Sequence, residues 1–330
     1  MKEKRFGMIE KTLGILISLA LVGICSAADP QKEAGKNINI SIAAGPAGGS
    51  YYPLSVGMSE IIRKHIPGSR VDVVNTGGST ENSTMVGSGE SDIGITNGDA
   101  AYEAYTGTVR YAGKKLPNIR VLYAGIAGGP LHTVVAKSSG LKDYGQLKGK
   151  KVALGPRGNT TGFLALALLK HFGLQKDDLR LSYLNVDDGM QALQDGQVDV
   201  AMGIGPLPLP SVKQMATFGK FSFDLLSLEE DKAQAFRKEN PFFNVIKIPA
   251  DLYGLGHEVK TLSSTNIVVI NAKVSEEAAY LITKAIFENL PMMHSAHPSG
   301  RMIKLETAAV NYLPMHPGAA KYFQEKGVMK

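Results

Sequence analysis

Gly155-Pro156-Arg157-Gly158-Asn159-Thr160-Thr161 follows the apolar run Val152-Ala153-Leu154 and precedes Gly162 to Phe172, a helical run closed by Gly173. That order is strand, tight glycine turn, helix start. A helix start exposes unpaired backbone N–H groups and partial positive charge, and glycines let an anion come close to them. Arg157 adds a planar group suited to gripping a carboxylate or phosphate through two parallel hydrogen bonds.

The chain contains the device twice. Gly45-Pro46-Ala47-Gly48-Gly49-Ser50 also follows a strand-like run, Ile38, Ile40 and Ile42, and precedes a helical one. Each copy has a second echo: Gly89-Glu90-Ser91-Asp92-Ile93 and Gly196-Gln197-Val198-Asp199-Val200 both lead into apolar strands. Gly45 and Gly155 are 110 residues apart, Asp92 and Asp199 107. The spacing implies two similar α/β lobes, each aiming a helix start at a shared cleft.

Met1 to Ala28 reads as a targeting segment. Lys2, Lys4, Arg5 and Lys11 form a basic start, and Leu13 to Ile24 is an apolar run too short to span a membrane. Ser26-Ala27-Ala28 supplies small residues for cleavage, placed after Ala28. Ile24 stands where a lipoprotein signal needs a small residue, so soluble export is favoured over lipid anchoring at Cys25. Cys25 is the only cysteine, so the mature chain has no disulfide framework, thiol catalysis or cysteine-ligated metal. The net charge of +6 falls to +4 when the leader, with four basic and two acidic residues, is removed. Lys and Arg are scattered rather than striped with aromatics, which argues against nucleic-acid binding.

From Ile38 to Ile126 strand and helix patterns alternate, with further turns at Asn75 to Thr80 and Asn97-Gly98-Asp99. That alternation predicts a mostly parallel sheet with ligand turns at the strands' C-terminal ends. Strands are expected at Leu181 to Val186, Val198 to Met202 and Thr265 to Ile270, and a helix over Glu276 to Leu290. His132 to Val135 looks like a passage between lobes, and Gly203 to Pro210 a stiff proline-rich wall.

No phosphate-loop, dinucleotide or nucleophile-elbow pattern is present. His294 and His297 lack a carboxylate to complete a metal set. Asp187 and Asp188 precede Gly189 and read better as a helix cap or solvated turn than as an acid–base pair. His132 is read as core or hinge, with a pocket role as the alternative. No set of residues assembles into a catalytic centre, so the chain reads as a binding protein without a cofactor or metal. Tyr51 and Tyr52 follow the first glycine turn, where one can pack a ligand and the other cover the sheet.

Several blocks resemble the TAXI family, the extracytoplasmic solute receptors of TRAP transporters. They are G-P-A-G-G-S-Y-Y-P (Gly45 to Pro53), G-G-S-T-E-N (Gly77 to Asn82), Asp92 to Asp99, Leu147 to Val152, Gly155 to Thr161, Asp195 to Asp199, and Leu313 to Ala319 near the end. The likeness covers nearly all of the mature chain, in order. It implies an α/β, two-lobed periplasmic binding protein of type II-like build with its ligand cleft between the lobes. Lobe 1 is expected over 37–130 plus 265–330 and lobe 2 over 131–264, with hinge crossings near 131–136 and 260–270. The implied partners are a small organic anion, such as a glutamate-like amino acid, keto acid or dicarboxylate, and the TRAP permease subunits.

On this picture the anion docks on Gly48, Gly49, Ser50 and Tyr51 and on Gly77, Gly78, Ser79 and Thr80, with Asn82 and Asn97 alongside. Arg157, Asn159, Thr160 and Thr161 close from the other lobe, with Gly205, Pro206 and His132 at the border. The family's serine-glycine step is here Asn159-Thr160, and its G-x-P turn is here Gly205-Pro206-Leu207-Pro208. A sensory binding protein serving a receptor kinase, or an exported hydrolase or transferase, are the competing classes.

Overall fold

The computed structural model describes residues 38–157, 159–218 and 221–329, so the expected targeting segment lies outside the described residues. Ten strands form one continuous ladder in the order β2-β1-β3-β10-β4-β7-β5-β6, with β8 added to β4 and β9 to β10. The first parallel set is β1 (Asn39–Ala43), β2 (Arg70–Val74) and β3 (Ile93–Asn97). The second is β5 (Lys151–Leu154), β6 (Arg180–Tyr183) and β7 (Val200–Ile204). Both run 2-1-3 from the outside, and each ends against one long antiparallel strand: β10 (Val259–Asn271) beside β3 and β4 (Ile119–Ala136) beside β7. The duplicated motif in the sequence is thus a duplicated fold.

The two long strands pass through both halves. Residues 119–130 of β4 pair with β10, whereas residues 131–136 pair with β7 and with β8 (Phe223–Leu225). The start of β10, Val259 to Ser264, pairs with β9 (Phe243–Ile248), and its remainder with β3 and β4. The two strands are very close where they cross. A Cβ at Gly128 would lie 1.8 Å from the Ser264 carbonyl oxygen, so only glycine permits the approach.

Helices pack against the sheets, and β3 and β7 are buried along four of their five residues. In the first half these are α1 (Tyr51–His65), α2 (Ser79–Ser88) and α3 (Gly98–Thr106). In the second they are α4 (Thr160–His171), α5 (Val186–Gln194), α6 (Pro210–Phe218) and α7 (Glu230–Glu239). The C-terminal α8 (Glu276–Phe287), α9 (Leu290–Ala296) and α10 (Pro317–Glu325) return to the first half. There Ile282, Ile286, Met293 and Phe323 join a core with Ile42, Leu54 and Met58. The second half has cores of its own, around Leu154, Leu168 and Val200 on one face and around Ala201, Leu193 and Val212 on the other.

Several expected boundaries shift, β7 running Val200–Ile204 instead of Val198 to Met202 and α8 ending at Phe287 instead of Leu290. The strand predicted over Leu181 to Val186 stops at Tyr183, because Asn185 caps α5 by accepting from the Asp188 N–H at 2.9 Å. Asp187 and Asp188 therefore sit in a helix first turn, where their charge complements the helix dipole. The late strand begins at Val259, six residues before the expected start. Its added stretch contains Lys260, Thr261, Ser263 and Ser264, polar by sequence, of which Thr261, Ser263 and Ser264 are buried at the crossing.

Candidate functional site

The starts of three helices converge on one hydroxyl. Tyr51, the first residue of α1, places its Oη 3.1 Å from Ser79 Oγ at the start of α2 and 3.0 Å from Asn97 Oδ1, the N-cap of α3. It also lies 2.9 Å from Asn266 Oδ1 on β10, whose Nδ2 donates to the Ala127 carbonyl on β4. Burial raises the Tyr51 pKa well above the ordinary phenol range, so the group is a neutral hydrogen-bonding hub. Its own Ser50 cap supplies no side-chain hydrogen bond, and first-turn N–H groups have no intrahelical partner.

Some expected donors are already engaged. The Gly77 N–H donates to Glu81 Oε2 at 2.6 Å and the Gly78 N–H to Thr76 Oγ1 at 3.2 Å. Gly49 closes the first turn by donating to Pro46 at 2.9 Å. Asn82 is fully buried: its Nδ2 donates to the Ala44 and Ile95 carbonyls, and its Oδ1 accepts from Thr76. It is a strut beneath the loops with no surface for a ligand, a correction to its expected place in the site. Gly48 and Thr80 are exposed and Ser50 and Ser79 half-buried.

In the second half, Asn159 caps α4 by accepting from the Gly162 N–H at 2.9 Å. Gly155 is required for that cap, since a Cβ there would lie 2.5 Å from the Asn159 amide. Thr161 is buried and its Oγ1 accepts from the Ile204 N–H at 3.3 Å, tying α4 to the end of β7 beside Gly205 and the exposed Pro206. Thr160 is half-buried. The exposed Arg157 lays its guanidinium 3.8 Å above the Tyr183 ring, within its own half, instead of reaching across. Stacking uses the face of the group and leaves its edge N–H donors outward.

His132 is fully buried. Its Nδ1 faces the Pro130 carbonyl at 3.1 Å and its Nε2 faces Tyr253 Oη at 2.9 Å, while that hydroxyl accepts from the Leu209 N–H at 2.6 Å. The pairing fits a neutral imidazole with its proton on Nδ1. Burial lowers its pKa to about 4. Its burial fits the core reading, with both ring nitrogens facing protein partners.

The halves touch near these loops through residues that sequence reasoning passed over. Arg110, after α3, lies 4.3 Å above the ring of Phe163 in the first turn of α4. Its other faces are held by Asp99 and by Glu103, whose Oε2 accepts from Nε at 2.6 Å. Burial opposes the Arg110 charge, but the two carboxylates more than offset it and raise the pKa. Tyr102 and Tyr312 pack against Phe242, at ring separations of 5.2 and 6.3 Å. Val109, before Arg110, holds φ +45° while exposed, a strained conformation for a β-branched residue.

A separate pocket of about 160 Å³, lined by His65, Ile66, Leu281, Ala285, Glu288 and Asn289, sits at the far end of α1. That is roughly 20 Å from Tyr51 at 1.5 Å per residue, so it has no part in this site. Among the described residues no group of three His, Cys, Asp or Glu is placed to hold a metal, and no helix is long and apolar enough to cross a membrane.

This architecture is that of the two-lobed solute-binding proteins. It is shared with PhnD1 from Prochlorococcus marinus in complex with methylphosphonate, at 10% identity, 90% of this chain, 98% of that one and TM-score 0.53. A TctC solute-binding protein from Polaromonas matches at 15% identity, 88% and 97% coverage and TM-score 0.52. SsuA, a periplasmic sulfonate-binding protein from Methylobacillus flagellatus, matches at 18% identity, 89% and 88% coverage and TM-score 0.50. Residues 42–327 match the profile of the NMT1-like family, and the chain belongs to that family.

Proposed function

We propose that the chain is a periplasmic receptor, exported through its N-terminal segment, that captures a small organic anion between two lobes and delivers it to a TRAP-type permease as a TAXI-like member of its family. Lobe 1 spans 37–130 and 265–330, and lobe 2 spans 131–264. The observation that carries the reading is the convergence of three helix starts on the Tyr51 hydroxyl, opposite the α4 start that reaches Arg110 through Phe163.

The ligand's carboxylate docks on N–H groups of Ser50, Tyr51, Ser79 and Thr80, with the Asn97 side chain beside it. Arg157, Asn159 and Thr160 approach from lobe 2, the arginine presenting its free edge. Ligand favours the closed form because only that form brings both sets of donors to it. Solute-binding proteins of this fold that carry phosphonate or sulfonate support an anionic cargo by analogy.

A thermal-shift screen of amino acids, keto acids, dicarboxylates, sulfonates and phosphonates tests the reading. A ligand at 100 times its Kd adds about 2.7 kcal/mol, enough for a rise of several degrees. Arg157→Ala should weaken the best hit at least tenfold by calorimetry, since a charge-assisted hydrogen bond contributes about 1.5–3 kcal/mol. No shift from any anion, together with no passenger in native mass spectra, would reject the reading. Loss of uptake on gene deletion separates a transporter from a sensor.

A further inference from the structure

Asp99 and Tyr312 have no role in the anion reading, yet each has a buried oxygen without a partner. Asp99 is 2% exposed, and while its Oδ2 accepts from Arg110, its Oδ1 has no hydrogen bond. The Tyr312 hydroxyl is likewise enclosed and unpaired. It lies against the same turn, since a Cβ at Gly98 would come within 2.7 Å of it. Buried polar atoms are nearly always satisfied, so two orphans flanking one residue point to a missing partner.

The local charge specifies that partner. Asp99 and Glu103 bring two negative charges, and Arg110 answers with one. Arg110's single charge is already held by both: Nε donates to Glu103, Nη2 to Asp99 and Glu103, and its face rests on Phe163. One carboxylate charge is left over in a largely buried site, where an uncompensated charge is most costly. The Asp99 charge also raises the Tyr312 pKa, second to burial, so this hydroxyl stays protonated.

We propose that Asp99 Oδ1 and Tyr312 Oη form a subsite for a protonated nitrogen, so that the cargo is a zwitterion rather than a plain anion. The inference rests on the proposed receptor function and narrows it. The cargo's carboxylate lies on the helix-start amides and its ammonium on Asp99. A dicarboxylate or keto acid would bring like charge to the surplus carboxylate and is disfavoured by it.

Calorimetry on the full chain with pairs differing only at nitrogen decides the matter: L-glutamate against 2-oxoglutarate, L-aspartate against oxaloacetate and L-alanine against pyruvate. In at least one pair the amino acid should bind ten or more times tighter than its keto acid. Asp99→Asn should reduce that ratio to near one, and Tyr312→Phe should weaken the amino acid several-fold with its far-ultraviolet circular dichroism unchanged. Equal or tighter keto-acid binding overturns the subsite while leaving the receptor function standing. So does an unchanged ratio in Asp99→Asn, or in Tyr312→Phe should Asp99→Asn not fold. Stabilisation by sodium or magnesium alone that Asp99→Asn abolishes assigns the orphan oxygens to an inorganic cation and overturns it too. No binding in any pair sinks the subsite, and failure of the wider anion screen sinks the receptor reading.

Discussion

The guanidinium of Arg110 lies 4.3 Å over the ring of Phe163, joining the turn after α3 to the first turn of α4. The contact couples the halves through a cation already fixed by two carboxylates. A cation–π contact contributes about 0.5–2 kcal/mol, so Phe163→Ala should shift the halves apart and weaken ligand binding roughly three- to tenfold. Spin labels at Glu90 and Lys176, in a Cys25→Ser background free of other cysteines, would report the separation. An unchanged distance distribution would show that the contact does not govern closure. Arg110→Ala should act differently, lowering stability by about 3–5 kcal/mol because it leaves two largely buried carboxylates unpaired.

Tyr51→Phe tests the hub. The hydroxyl is the common partner of Ser79, Asn97 and Asn266, groups at the start of α2, at the end of β3 and on β10. Asn97 Oδ1 keeps the Ser79 hydroxyl as donor, but Asn266 Oδ1 loses its partner, at about 1–3 kcal/mol. The melting temperature should fall by several degrees and ligand affinity with it, while Tyr52→Phe, one residue on, should change neither. Equal effects from the two variants would remove the hub from the account.

The duplicated halves were legible because parallel strands buried on both faces leave continuous apolar runs, and the turns between strand and helix need glycine. Asp92 and Asp199 were visible as an echo without a reason, and the structure supplies it. Each carboxylate at the start of a third strand accepts a backbone N–H from the first strand, Ser41 or Lys151, at 2.8 Å. The cleft contacts were not legible. Arg110 lies in a short 3₁₀ turn (Val109–Tyr111) and Tyr312 some 200 residues further on, and nothing in their spacing places them beside Asp99. The crossing of β10 was half hidden because buried Thr261 and Ser263 donate to β4 carbonyls, those of Leu131 and Gly128, so a core segment carries polar residues. Asn82 looked like a ligand residue for a related reason: an amide in a glycine-rich turn serves equally well as a strut.

The echo itself is open to measurement. Asp92 accepts from both the N–H and the Oγ of Ser41, whereas Asp199 accepts from the Lys151 N–H alone. Hydrogen bonds to a charged group contribute about 1.5–3 kcal/mol each before solvent competition. Asp92→Ala should therefore cost more stability than Asp199→Ala in urea denaturation, with Ser41→Ala narrowing the gap. The reverse order would mean that the two carboxylates do not play equivalent parts.

His132 makes stability depend on acid. Its folded pKa of about 4 lies below the ordinary histidine value because the ring is buried. Between those values the unfolded chain binds a proton that the folded chain refuses, so stability rises with pH across this window. Its contribution is complete above about pH 6.5 and lost as pH falls towards 4, some 3 kcal/mol in all. His316, also lowered by burial, acts in the same direction, whereas Glu103, raised by burial, acts oppositely at the acid end. A His132→Gln variant isolates the histidine, since both proteins share the other groups. Urea midpoints at pH 7.5, 6, 5 and 4.5 should fall more steeply for the parent than for the variant. Parallel slopes would mean that the ring is not held neutral. A steeper slope for the variant would reverse the sign of the coupling between the Tyr253–His132–Pro130 chain and the crossing of β4.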